Sequence, residues 1–305
     1  MNGLRSRRLG GGLSTLLGAG GVALAMLSIG ASAAAAHRPQ TCSGSAQAPG
    51  VLEGSIQSNA TVEGFCVVNA GPATVAGNLT VRPGAVLAAA FALNDQTGNG
   101  NSSLSVGGNI RVQRGATLIL GCTPQSFACL DDPNQAHPTL SSAASVGGNL
   151  DSHQPLGVVV HDATIGGNVS QNGGGGGLEC EPTGIFATFH VPVYSTYEDG
   201  RVGGNLSVNG LTSCWLGMAR EQVGGNLRVT GDQLADPDAI EIVSNTVGRN
   251  LICHGDSQVW DSADVTPEVL FPRASFPNTV NGKRIGQCLL ASPTEEGGAL
   301  GPGPF

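Results

Sequence analysis

Asp131-Asp132 is an adjacent acidic pair in one of the irregular stretches of this chain. Two carboxyls at a fixed separation are what glycoside hydrolysis needs, one as acid and the other as base or nucleophile. Followed by Pro133, the same pair also suits a solvated turn, because Asp bonds nearby backbone and Pro fixes φ. Asp151/His153 and His161/Asp162 offer metal-ligand types, but only if neighbouring segments bring the two pairs together. Ser, His and Asp occur without a G-x-S-x-G elbow to mark a nucleophile. A lyase would need clustered acids for calcium and a Lys or Arg base. Lys283 is the sole lysine, and the regular segments carry mostly Ser, Thr, Asn and a few Arg. No catalytic residue, metal or cofactor is assigned on this basis.

Eight cysteines supply the other chemistry: Cys42, Cys66, Cys122, Cys129, Cys180, Cys214, Cys253 and Cys288. An even number in an exported chain points to disulfides. The absence of any C-x-x-C speaks against a zinc ribbon or a thioredoxin-like site. Pairing of sequence neighbours is expected, namely Cys42 with Cys66, Cys122 with Cys129, Cys180 with Cys214 and Cys253 with Cys288.

Export is read from residues 1–36. Arg5, Arg7 and Arg8 precede an uncharged apolar stretch, Leu13 to Ala31, and a run of small residues from Ala31 to Ala36 that suits a signal peptidase. Those 36 residues hold three arginines and no acids. Of 14 basic residues, 11 then remain against 22 acidic ones, a net charge of −11. Such a balance argues against nucleic acid and, once the signal is removed, against an anionic membrane.

The elements that position these residues come from a repeat. Seven copies of a Val-Gly-Gly-Asn-Leu-x-Val unit are centred on Asn78, Asn109, Asn149, Asn168, Asn205, Asn226 and Asn250. Their spacings are 31, 40, 19, 37, 21 and 24 residues. The shortest cluster near the length of one coil, and the longer ones fit a coil with an insertion. Gly-Gly-Asn inside a helix would be unfavourable by about 1 kcal/mol per Gly. Alternating Val and Leu instead suggest strands, with Val106, Ile110 and Val112 on one side of a single strand and Asn109 and Arg111 on the other. Coils too small to fold alone can stack, each strand pairing above and below at about 4.8 Å. The recurrent Asn can form a ladder of amide bonds, or serve simply as a residue that tolerates a left-handed turn.

The pattern resembles right-handed parallel β-helix proteins and, loosely, the polymer-forming bactofilins, over residues 62 to 253. The resemblance implies an all-β, right-handed parallel β-helix (a β-solenoid) with loop insertions and capped ends. Asp131-Asp132 also resembles the paired Asp of polygalacturonases, without the companion N-T-D, G-H-G or R-I-K motifs.

The chain is therefore divided into a signal peptide (1–36), an N-terminal cover (37–61), the solenoid (62–253), a C-terminal cover with Trp260, Phe271 and Phe276 (254–290) and a disordered tail (291–305). Insertions are read at 88–103, 121–144 and 171–201. The third is richest in aromatics, and Phe186, Phe189, His190, Tyr194 and Tyr197 form either a ligand loop or a self-packed cover. The function expected is that of a secreted, non-catalytic solenoid with a structural or surface-interaction role. Polysaccharide or cell-surface components are the expected partners, and self-association is open. A carbohydrate-active or carbohydrate-binding protein and a self-assembling envelope component are the alternatives.

Overall fold

The computed structural model describes residues 39–235, 240–257, 259–260 and 277–289. Its regular structure is almost wholly parallel β, wound into a solenoid with three faces. Two faces are continuous through strand Ala60–Val67 and together hold 18 strands, while the third face holds nine. Face 1 begins just after each repeat Asn, as in Leu79–Val81, Ile110–Val112 and Leu227–Thr230. Face 2 follows, as in Val86–Ala89, Thr117–Leu120, Gly157–His161 and Tyr194–Glu198. Face 3 closes the coil, as in Pro72–Val75, Ser103–Val106 and Gln222–Val223.

The repeat is not one strand. Val106 ends face 3 and Ile110 starts face 1, and Gly107-Gly108 form the corner between them. Both apolar residues still point into the lumen and are buried. A corner fits here because both glycines press against the coil below. A Cβ on Gly108 would overlap the Asn78 side-chain oxygen, and one on Gly147 would overlap the Gly107 carbonyl. Close approach therefore explains these glycines. Positive φ explains others, such as Gly84 (+70°) and Gly115 (+68°) between faces 1 and 2.

The asparagines form a ladder. Each side-chain carbonyl accepts the backbone N–H of the next coil's Asn, at 2.9 Å from Asn109 to Asn78 and 2.8 Å from Asn149 to Asn109. The bond recurs at 2.8 Å for Asn168, Asn205 and Asn226, and at 3.1 Å for Asn250. Asn109, Asn205, Asn226 and Asn250 add a side-chain amide bond to the same oxygen. None of the seven has a positive φ, so tolerance of a left-handed turn is not their role. Asn59, outside the recognised copies, supplies the first oxygen, to Asn78 at 2.8 Å. Lys283 receives the last, donating its backbone N–H to Asn250 at 2.9 Å.

The stack extends beyond 62–253 at both ends. Gln40–Gly44, Gly50–Val51 and Gly54–Ile56 make a full coil within the span read as a cover. Val259–Trp260, Thr279–Val280 and Arg284–Gly286 continue all three faces at the other end. The apolar signal was too weak there, because these coils carry Gly, Ser and Arg at many positions. The signal segment, Phe271, Phe276, the tail and the Trp260 side chain lie outside the described residues.

Face 2 differs from the other two. Faces 1 and 3 alternate buried and exposed residues, whereas Thr117–Leu120 and Gly157–His161 are buried throughout. Leu118, Leu120, Val158 and Val160 line the lumen. Ile119 and Val159 point the other way, into a second apolar cluster with Ala90, Ala92, Cys122, Cys129, Ile185, Phe186 and Val193. All three insertions adjoin face 2 and fold over its outer side. The third is shorter than 171–201, because Tyr194–Glu198 and Arg201–Val202 are coil strands.

Disulfides join Cys42–Cys66, Cys122–Cys129, Cys180–Cys214 and Cys253–Cys288. Cys122–Cys129 closes the base of the second insertion, and Cys180–Cys214 ties the third to the strand it covers.

Removing one rung should expose the ladder's contribution. Asn205→Ala leaves the Asn226 N–H without its acceptor and should destabilise by about 1–3 kcal/mol, as should Gly225→Ala, which forces a methyl against Asn205. Ser207→Ala, two residues along, should stay within about 0.5 kcal/mol of wild type. Equal urea midpoints for Asn205→Ala and Ser207→Ala would mean the ladder is incidental.

Candidate functional site

A cluster of mixed ionisable groups that could hold a metal lies at the corner where face 2 turns into face 3. Its positions follow from coil register. His161 lies beside Glu198, and Glu198 beside Ala219, in successive strands. The following residue of each coil makes the corner in a left-handed conformation: Asp162 (φ 45°), Asp199 (57°), Arg220 (56°) and Ser244 (57°). Gly121 stands opposite His161 one coil earlier, one position before this slot, and a Cβ there would overlap the His161 carbonyl.

Parity decides what is inside. Tyr197 points into the lumen, so Thr196 and Glu198 point to the outer side of face 2, and there the second insertion covers them. Phe127 stacks on His161 with ring centroids 5.0 Å apart. Ser126 Oγ lies 3.1 Å from His161 Nδ1 and donates to Asp199 at 2.6 Å. Thr196 donates to Glu198 at 2.6 Å. Arg220 bridges the two acids, bonding Glu198 at 2.6 Å and Asp199 through two nitrogens.

Burial sets the protonation states. It depresses His161 to about 3, against the attraction of Asp199, so the ring is neutral at ordinary pH. It lifts Glu198 to about 7, opposed by the Thr196 hydrogen bond and by Arg220. Burial also raises Asp199, but its bonds from Arg220 and Ser126 outweigh this and hold the carboxyl below its ordinary value. One coil on, burial and the nearby acids push Glu221 up to about 8, and its Oε2 has no hydrogen-bond partner.

Two chemistries fit this cluster poorly. A nucleophilic triad needs the imidazole to bridge, with serine at one nitrogen and acid at the other. Here Ser126 and Glu198 both approach Nδ1, at 3.1 and 3.9 Å, while Nε2 is buried without a partner. Ser126 already donates its proton to Asp199, and a ring with a pKa near 3 is a weak base. For a metal, His161, Glu198 and Asp199 offer three ligand atoms within 4.8 Å of one another. The Arg220 guanidinium, however, already occupies the cation position between the carboxylates. The arrangement is a pinned corner, joining two coils and the second insertion through charge and hydrogen bonds.

Of the residues singled out from sequence, His161 and Asp162 lie at this corner and the others are placed elsewhere. Asp131 accepts the backbone N–H groups of Ala92 (2.9 Å) and Leu93 (2.6 Å), and so fastens the first insertion to the second. Asp132 accepts those of Asn134, Thr139 and Leu140, which lower its pKa. Both carboxylates are thus engaged with backbone. Asp151 and His153 stay exposed on face 1, while Asp162 joins the corner beside Asp199. The five aromatic-loop residues do not form a common surface. Phe186 is buried under Gly157, Phe189 packs partly buried beside it, and His190 is exposed at the end of the short helix Phe186–Phe189. Tyr194 touches Phe186 edge-on. Tyr197 sits in the lumen, donating to Gln171 at 2.8 Å. Glu198, Arg220 and Glu221 escaped sequence reasoning, because only the stacking register brings them beside His161.

No family model, curated protein or solved structure matches the chain.

Glu221 makes the corner pH-sensitive. Its pKa is about 8 when folded, against 4.5 for an ordinary glutamate. Between these values the folded chain binds the additional proton, so the contribution of Glu221 to stability falls as pH rises from 4.5 to about 8, then levels off. Glu221→Gln should melt higher than wild type at pH 8, by an amount on the order of a few kcal/mol at most, and the two should converge below pH 4.5. A constant difference in melting temperature across that range would exclude this role.

Proposed function

We propose that the protein is a secreted, non-catalytic β-solenoid that acts through its surface, as a structural or binding element outside the cell. The observation that carries this reading is the contrast between its ionisable cluster and its open faces. Arg220 bonds both Glu198 and Asp199, Ser126 bonds Asp199 and approaches His161 Nδ1, and Phe127 stacks on the ring, so the carboxylates are already engaged.

The open faces are built differently. On face 3 the outward side chains Thr74, Ser105, Ser145 and Thr164 line up in register, followed by Arg201, Gln222 and Thr246. Face 1 presents Thr80, Arg111, Asp151, Ser170, Ser207 and Arg228 in the same way. Parallel stacking spaces such side chains at about 4.8 Å. The face 3 column from Thr74 to Thr164, with the corner glycines beside it, lines an open groove of about 410 Å³. An open groove running across coils matches an extended polymer better than a small molecule, which prefers an enclosed pocket.

Four disulfides fit folding in an oxidising compartment. Among the described residues no helix is long and apolar enough to cross a membrane. The disulfides agree with export under the N-terminal signal.

The test is to incubate mature protein with neutral and acidic polysaccharides, following retention by pull-down and chain length by viscosity. Retention without loss of viscosity is the expected result. Cleavage that disappears in Asp131→Asn, Asp132→Asn or Glu198→Gln, each still folded by circular dichroism, would replace this reading with an enzymatic one.

A further inference from the structure

We propose that the last coils carry an anion-binding surface for an acidic polysaccharide, formed by Arg228, Arg249 and Lys283. This deepens the surface-interaction reading and rests on it.

Register brings the three together. Arg228 is an outward residue of face 1, flanked by Ser207 and Ile252. Arg249 lies at the face 3–face 1 corner of the next coil, above Gly225, to whose carbonyl its N–H donates at 2.9 Å. Lys283 stands one coil further, in the slot after Asn250. All three are exposed, and no carboxylate occupies a flanking register position. No ion pair engages them among the described residues. Arg284, next to Lys283, donates to the Asn278 carbonyl at 3.2 Å.

The repeat itself marks these cations as deliberate. Across the stack the corner reads Gly-Gly-Asn, because a Cβ on the second glycine meets the preceding Asn oxygen. Arg249 occupies that second slot, and the ladder bond beside it stretches to 3.1 Å from the 2.8–2.9 Å of the others. Lys283 occupies the Asn slot and gives up the side-chain oxygen that would continue the ladder. Both departures weaken stacking, and both introduce a cation. Arg249 has no role in the ladder, Lys283 ends it while presenting a charge, and an outward anionic ligand accounts for both cations.

The partner's chemistry follows from its charge density and from what surrounds the patch. Duplex DNA carries a charge about every 1.7 Å, and the acidic remainder of the chain would repel it strongly. A polyuronate carries one carboxylate per sugar and matches three cations on adjacent coils. Single-stranded nucleic acid would need exposed aromatics for stacking. The described aromatics near the coils, such as Tyr194 and Tyr197, are instead engaged in packing. The N-terminal coils make a contrast, since Arg82 pairs with Glu63 at 3.8 Å and Arg111 neighbours Asp151.

Polygalacturonate binding, measured by affinity electrophoresis at several salt concentrations, tests this. The variant Arg228→Gln/Arg249→Gly/Lys283→Asn restores the repeat at two positions, so it should fold at least as well as wild type. It should lose binding more than tenfold. The charge-matched control Arg82→Gln/Arg111→Gln/Arg114→Gln should stay within about twofold, because salt largely screens charges more than about 10 Å away. Equal losses in the two variants, or none in the first, would overturn the proposal. So would wild-type retention by neutral glycans, DNA or anionic vesicles alone, an outcome that leaves surface interaction standing. Cleavage of the polymer would overturn the surface-interaction reading itself.

Discussion

The corner between faces 3 and 1 sets the terms for the rest of the molecule. Each coil must offer the next an acceptor where the chain turns, and the Asn side chain supplies it over the backbone of the coil below. That placement crowds a Cβ on the glycine beside it, so Asn on one coil favours Gly on its neighbour, with Arg249 as the exception. The repeat is thus a contact between coils written into each coil. The bonds are exposed or half-buried, and each matters more through its loss than its presence, since an unmade one leaves a backbone N–H without its acceptor at a cost of about 1 kcal/mol or more. With the corner fixed, the flanking Val and Leu face the lumen at every level. Each is worth about 1.5–3 kcal/mol of burial, in a core that no single coil could form.

That register also explains why the insertions gather on one side. Faces 1 and 3 meet at the crowded corner, where an extra residue would break the ladder. Face 2 is bounded by looser corners. One uses positive-φ glycines such as Gly84 and Gly115, the other the left-handed column of Asp162, Asp199, Arg220 and Ser244. Insertions are tolerated there, and once present they cover the outer side of face 2. The strand Gly157–His161 can therefore be apolar on both sides, as parallel strands buried on both faces generally are. His161 and Glu198 lie at the end of this covered surface, which is why burial dominates their protonation.

The coils were legible in the sequence because their constraint is local and repeated. Val, Gly, Gly, Asn and Leu recur in fixed order, and a spacing near 20 residues measures one turn. Less was legible where the constraint depends on register. Asn59 follows Ser rather than Gly-Gly and so carried no motif, yet it occupies the same slot. Tyr194 and Tyr197 looked like loop aromatics, because the strand containing them lacks the motif. The ionic corner was invisible for a stronger reason. His161, Ser126, Glu198 and Arg220 come from three coils and an insertion, and their order in the chain holds no period linking them. Asp131 and Asp132, which looked chemically apt, proved to be receptors for backbone N–H groups, a role that depends on how the insertions fold over face 2.

The ladder also limits itself. Continuing it requires, at every level, a backbone N–H to give and a side-chain oxygen to receive. Pro39 precedes Gln40, whose partner is Ala60, and so stands in the slot that Asn59 fills one coil later. Proline lacks the N–H and has no side-chain oxygen. At the other end Lys283 gives its N–H to Asn250 but offers a cation in place of an acceptor. Another copy placed above or below would thus meet a corner unable to extend the rung pattern, although the strand edges themselves could still pair. The residue that ends the ladder also contributes to the exposed positive surface. Termination of the stack and presentation of charge are therefore the same structural event at Lys283. A substitution that restored Asn there would lengthen the ladder and weaken the patch together.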